Sequence, residues 1–172
     1  THACNLGGLI ADDLAAALPG CRAFIADPGV VDELEEVARI TGSPLMPRIT
    51  IWHALNQKAI ARRYAAERGT RYEDLDLIVC HLGGGISVAV HRHGRAVDAN
   101  NALDGEGPFS PERAGTLPAG HLIDLCFSGN FTKDEFDLIF QIMKEGKSEE
   151  EKRQMDDALE KARKMMRGKG GR

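Results

Sequence analysis

Aromatic side chains are scarce: Phe, Trp and Tyr make up 5% of the 172 residues, with a single Trp. That leaves little material for a surface that grips bases or sugar rings by stacking. An excess of positive charge is missing too. Twenty-two Lys and Arg stand against 26 Asp and Glu, a net charge of −4, so there is no electrostatic footprint for nucleic acid. No apolar run approaches the roughly 18 residues of a membrane span, and no signal peptide is visible. Neither nucleic acid nor membrane is expected as a partner. Cys4, Cys21, Cys80 and Cys126 are scattered without a C-x-x-C pair. They signal neither a disulfide framework nor a zinc site, and a reducing, cytoplasmic compartment fits them best.

What is present is enough apolar material, 42% of residues, to bury a core in one domain or two small lobes. Charge is spread unevenly. From Thr132 to Arg172 there are 11 Lys/Arg and 10 Asp/Glu in 41 residues, which leaves 11 and 16 for the first 131. The composition changes near residue 132.

The first half reads as helices around one short strand. Asn5 can cap a helix carrying Leu6, Leu9, Ile10, Leu14 and Leu18, stopped by Pro19-Gly20. Arg22 to Ala26 reads as a buried strand. Val30, Val31, Leu34, Val37 and Ala38 mark a second helix. A third runs from about Thr50 to Arg68, with Ile51, Leu55 and Ala59 on one face, and Gly69 ends it. The pattern then switches to a β-meander: Leu75–Cys80, the glycine turn Gly83–Gly85, Ile86–His91, and Arg95–Ala99. A long loop from Asn100 to Ala119 leads to a short helix at Leu122–Phe127. Thr132 with Glu135, and Ser148 with Glu151, have the spacing of capping boxes. They start two amphipathic helices, one with Phe136, Ile139, Phe140 and Met143, the other with Met155, Ala158, Leu159, Ala162 and Met166. Gly146 sits where the link of a C-terminal helical hairpin would need it. The fold class is α/β.

Three places could carry chemistry. Consecutive glycines expose backbone N–H groups to a phosphate without obstruction. Because Ile-Ser-Val-Ala-Val follows as a strand, Gly83–Gly85 is neither a Walker loop nor a Rossmann turn. A hairpin turn around phosphates and an ordinary tight hairpin both remain open. Asp27 follows an apolar segment, where α/β ligand sites gather, and could equally cap a helix before Val30. His53 and His81 lie at element ends, where a structural role is the plain alternative; His91 and His93 are expected in an exposed turn. The stretch Asp98–Gly115 is a long loop with carboxylates, glycines and Arg113, the kind that is usually functional in a compact domain. Arg113 could fork onto a carboxylate or phosphoryl group, or pair with Glu112 or Glu106.

Five segments taken together carry a resemblance. Asn5-Leu-Gly-Gly-Leu-Ile, Ala26-Asp-Pro-Gly-Val-Val-Asp-Glu, His53-Ala-Leu-Asn-Gln-Lys, His81-Leu-Gly-Gly-Gly-Ile-Ser and Asn100-Asn-Ala-Leu-Asp-Gly-Glu-Gly-Pro-Phe-Ser-Pro-Glu-Arg resemble the butyrate kinases. Those belong to the acetokinase family, with an actin/hexokinase-like (ribonuclease H-like) fold. The resemblance runs from Thr1 to about Thr132. It implies ATP-dependent phosphorylation of a short-chain carboxylate, butyrate or isobutyrate, to an acyl phosphate, with Mg²⁺. By the family pattern Asp27 would help hold the magnesium. His53 and His81 would contact the phosphoryl group, and His81 would lead into the Gly83–Gly85 nucleotide cradle. Arg113 would stabilise charge on the transferring group.

The resemblance also sets boundaries: residues 1–72 as the end of the first lobe, 73–131 as the start of the second, and 132–172 as the charged hairpin. The family's Asn-Pro-Gly-Ser-Thr-Ser phosphate loop, its upstream Arg and its later adenosine motif have no counterpart in these 172 residues. A central and by itself inactive segment of the enzyme is therefore expected, possible as a homo-oligomer. The alternative is a non-catalytic folding or assembly module that keeps a partial phosphate loop.

Overall fold

The computed structural model describes residues 6–139 and 148–169; Asn5, Phe140, Met143, Gly146 and the side chains of Ile139 and Met166 lie outside what it describes. The chain divides into two compact units, residues 1–82 with 86–103, and residues 83–85 with 104–172.

The first unit opens with α1, Leu6–Ala17, which leaves Leu9, Ile10 and Leu14 exposed. Arg22–Ala26 forms no strand. Among the described residues no strand takes up its backbone, and Phe24 and Ile25 are exposed. The expected second helix shrinks to a 3₁₀ turn, Glu36–Arg39. Longer-range bonds hold this segment irregular instead. Asp32 Oδ1 accepts the Leu34 N–H (3.1 Å) and its Oδ2 accepts from Arg39 (2.7 Å), while the Glu35 N–H reaches Val97 O and the Trp52 N–H reaches Gly29 O.

The expected meander forms, with its first strand two residues later than read and its second one residue longer. β1 (Leu77–Leu82), β2 (Ile86–Arg92) and β3 (Arg95–Ala99) form an antiparallel meander in the order β1-β2-β3. A bulge interrupts it: Val90 faces Asp98 and His91 faces Ala96, so Val97 is left without a partner on β2. Past the end of β3, Asn100 extends the ladder with its side chain, accepting from Val88 N–H (2.7 Å) and donating to Ile86 O (3.1 Å).

Helix α2, Ala54–Glu67, packs on this sheet. It starts four residues later than expected, because Thr50 and Ile51 are bonded to Asn100 and Ala102 in extended form. Its buried face is Ala54, Gln57, Lys58, Ala61 and Ala65, the i, i+3, i+4, i+7, i+11 positions of one stripe. The face read from apolarity was wrong, and Leu55 is exposed. Alanines let the helix approach the sheet closely, and the two polar residues are admitted because each finds partners there. Around them lie two apolar clusters, one of Leu34, Trp52, Ala54, Ala89, Ala96 and Ala99, the other of Ala61, Ala65 and Tyr72.

The second unit holds the glycine turn, the loop after residue 103, α3 (Ala119–Cys126), α4 (Lys133–Ile139) and α5 (Glu149–Lys169). Both capping boxes are formed. Thr132 and Ser148 hydroxyls accept the N–H of Glu135 and Glu151, and those carboxylates reach back to the cap N–H at 2.8 Å. α4 packs on α5 and buries Phe136, Met155 and Ala158.

Candidate functional site

The sequence candidates fall in three clusters, and the first is a pair of rings. His53 is the residue before α2, and His81 lies near the end of β1. Packing of α2 on β1 brings the two imidazoles face to face, centroids 3.6 Å apart and planes 6° from parallel. Each ring is anchored on its far side. His53 Nδ1 lies 2.8 Å from Ser87 Oγ, and His81 Nδ1 lies 3.0 Å from Asn56 Oδ1. Partial burial, and then any positive charge on His81, hold the His53 imidazole below its ordinary range. Both rings are only half-buried, so each keeps an edge a ligand could touch.

Behind them is a feature the sequence reading missed. His91 is fully buried, not in an exposed turn; His93 is the exposed one. The strand alternation of β2 puts Ser87, Ala89 and His91 on the inner face, under α2. Burial, followed by the charge of Lys58, lowers the His91 pKa, and burial above all pushes the Tyr72 phenol beside it up to about 12. The local signal was the two-residue period of β2, which puts His91 on one face with Ser87 and Ala89 without saying that this face is the inner one.

Asp27 belongs to a different cluster. Its backbone is left-handed, φ 41°, a conformation Asp tolerates better than most residues. Its carboxylate spans two cations of α2, Lys58 Nζ and Arg62, each at 3.3 Å. Lys58, 5% exposed in its side chain, also pairs with Glu33 at 2.6 Å, and the second Glu33 oxygen accepts the Ala96 N–H. Four charged residues here neutralise one another.

The third cluster is in the second unit. Gly84 O accepts from both the Ser110 hydroxyl (2.6 Å) and the Glu112 N–H (3.1 Å), so the loop is stitched to the glycine turn. The Glu112 side chain lies against Gly84: a Cβ there would come 2.6 Å from Oε1. None of the three turn glycines has left-handed backbone, so what glycine supplies at Gly84 is space. Gly115, at φ 74°, is needed for both reasons, since its Cβ would meet Phe109 N at 2.5 Å. Arg113 donates to Glu112 O at 2.9 Å, with Glu112 Oε2 3.5 Å away. The fork of Arg113 and the glycine turn thus meet through Glu112.

The acetokinase family model matches residues 49–139, a span that takes in His53, His81, Gly83–Gly85 and Arg113 and continues into α4. A probable butyrate kinase of Bacteroides thetaiotaomicron is 84% identical over 135 residues, covering 78% of this chain and 38% of that protein. Butyrate kinase 2 of Clostridium acetobutylicum is 60% identical over 134 residues, covering 78% and 37%. The chain therefore spans under two-fifths of the length of these relatives. The crystal structure of Porphyromonas gingivalis acetate kinase matches 80% of this chain and 36% of that one at TM-score 0.63 and 22% identity, a likeness of fold. With its α/β fold, its motifs and the family match all in agreement, the chain belongs to the acetokinase family.

Proposed function

We propose that this chain is the central part of a carboxylate kinase that transfers the γ-phosphoryl group of ATP to butyrate or isobutyrate in the cytoplasm. The observation that carries the reading is the 84% identity to a probable butyrate kinase over 135 residues. In this reading residues 1–72 close one lobe, 73–131 open the next, and 132–172 form the hairpin. Among the described residues the exposed thiols of Cys21, Cys80 and Cys126 suit a reducing compartment. The exposed apolar side chains of α1 offer a surface for a homo-oligomer.

The chemistry asks for positioning and charge neutralisation more than for covalent steps. His53 and His81 present ring edges to oxygens of the transferring group. Backbone amides of Gly83–Gly85 face nucleotide phosphates, and Arg113 balances the charge that develops in transfer. Magnesium supplies further neutralisation when bound. Among the described residues no group of three or more His, Cys, Asp and Glu could hold a metal ion. Asp27 fits as a single carboxylate ligand, because Mg²⁺ commonly takes one or two carboxylates and completes its shell with water and phosphate oxygens. At 3.3 Å neither Lys58 nor Arg62 holds that carboxylate tightly.

The test is a transplant. Residues 6–132 replace the matching stretch of the Bacteroides relative, and the chimera is assayed for butyryl hydroxamate with ATP, Mg²⁺ and hydroxylamine. Product that is lost in Arg113→Ala supports the reading, and a folded chimera without product sinks it. The 172-residue chain by itself is expected to be slower by at least about 10²–10³, the scale of losing one charge-stabilising group.

A further inference from the structure

Four side chains that this chemistry does not use lie in one row beneath His53. Tyr72 Oη is 2.5 Å from His91 Nδ1, and His91 Nε2 is 3.0 Å from Gln57 Oε1. Gln57 Nε2 is 2.7 Å from Ser87 Oγ, which is 2.8 Å from His53 Nδ1. Gln57, Ser87 and His91 are wholly buried, and Tyr72 nearly so. Such a row is stable only if every donor meets an acceptor. Here that requirement has one solution.

A group with no choice sets the direction. The Ser87 main-chain carbonyl can only accept, and Gln57 Nε2 donates to it at 3.0 Å. The amide is thereby oriented, with Oε1 toward His91. Since Oε1 also only accepts, His91, which is wholly buried and so neutral, carries its one ring proton on Nε2. Its Nδ1 then accepts from the Tyr72 hydroxyl. At the other end, Ser87 Oγ receives Gln57 Nε2–H and the His53 main-chain N–H, the latter at 3.3 Å. Both of its lone pairs are taken, so its single proton goes to His53 Nδ1.

We propose that the row Tyr72–His91–Gln57–Ser87 is a tautomer lock, in which Ser87 is a positioning residue that holds His53 as the neutral Nε2–H imidazole. Histidine ring nitrogens are assigned by the bond the other nitrogen makes, and here that bond is dictated by the Ser87 carbonyl acting through the Gln57 amide. His53 then meets its ligand as an uncharged hydrogen-bond donor. A protonated ring would set Nδ1–H against the Ser87 hydroxyl proton and would face the stacked His81 as well. That the ligand is a transferring phosphoryl oxygen rests on the kinase reading; the lock itself is a property of the folded chain.

The experiment reads protons directly. In the full chain with ¹⁵N-labelled histidine, two-bond ¹H–¹⁵N correlations at neutral pH show which nitrogen of His53 is protonated, with His53→Asn for assignment. The expected result is a single Nε2–H form, preserved in Ser87→Thr and replaced by a mixture of tautomers in Ser87→Ala. A wild-type His53 that is cationic or protonated on Nδ1 overturns the lock, and this does not depend on a Ser87 variant folding. A Ser87→Ala protein that keeps the single Nε2–H form overturns it too. Turnover by the chimera bears on the kinase reading alone, so either idea can fail while the other stands.

Discussion

His53 and His81 share one face-to-face contact at 3.6 Å, and two imidazolium ions cannot comfortably occupy it together. Burial of His53, and the His81 charge after it, lower the His53 pKa; burial of His91, and then Lys58 against the opposing pull of Glu33, do the same there. The unfolded chain therefore binds more protons than the folded one once the pH falls below about 6.5. Stability should be at its plateau above that value and decline as the pH is lowered through it. Thermal melts at pH 7.5, 6.5 and 5.5 check this. A Tm that rises on acidification would contradict the assignment, and His53→Asn should flatten part of the decline.

Lys58 is the second test. It is the buried cation between Glu33 and Asp27. Removing it leaves Asp27 its Arg62 contact but strands the Glu33 carboxylate, at a cost of about 3 kcal/mol. Lys58→Ala should lower the urea-unfolding free energy by about that amount. A change under about 1 kcal/mol would mean that water already reaches the pair.

Gly84 makes a third. Because Glu112 and not the backbone fills the space, Gly84→Ala should be tolerated with a loss under about 1 kcal/mol, relieved in a Glu112→Ala background. The same Glu112→Ala change removes a negative charge from the turn. Phosphate or ATP titrated against the labelled chain should then shift the Gly83–Gly85 amides at lower ligand concentration than in wild type. Shifts confined to other residues would show that the turn is no anion site.

The hairpin offers a fourth. Lys161, then the N–H and hydroxyl of Thr132, hold the Glu135 carboxyl down at about 2. A depressed carboxyl contributes above its unfolded value of about 4.3 and loses that contribution as the pH falls toward 2. Helical signal at 222 nm should drop over that acid window, and less steeply in Glu135→Gln. Independently, Ser148→Ala should remove about 1 kcal/mol from α5 by emptying its cap. Unchanged melts would show that the cap is dispensable.

These residues also show what could be read in advance. The meander was legible because strand alternation and turn glycines are local, and the capping boxes because their spacing is itself the structure. The glycine turn and Arg113 were singled out by their company. What failed was non-local. Gln57 and Lys58 look like a solvated face until the row ending at Tyr72 and the Glu33 pair are known. His91 looks like part of a polar turn until β2 is seen lying under α2. Arg22–Ala26 has the composition of a strand, but a strand needs a neighbour, and among the described residues none pairs with it.

The bulge at Val97 has a bearing on the order of assembly. Val97, left out of the β2–β3 ladder, offers its carbonyl to Glu35, while its neighbour Ala96 gives its N–H to Glu33. Both attachment points exist only after β2 and β3 have paired over a short loop, and both close contacts more than sixty residues apart in sequence. Local pairings form fast and distant ones wait on them. The segment that carries Asp27 should thus be the last part of the first unit to order and the first to come loose. Hydrogen exchange would see it as early-opening amides at residues 31–35 above a slow sheet.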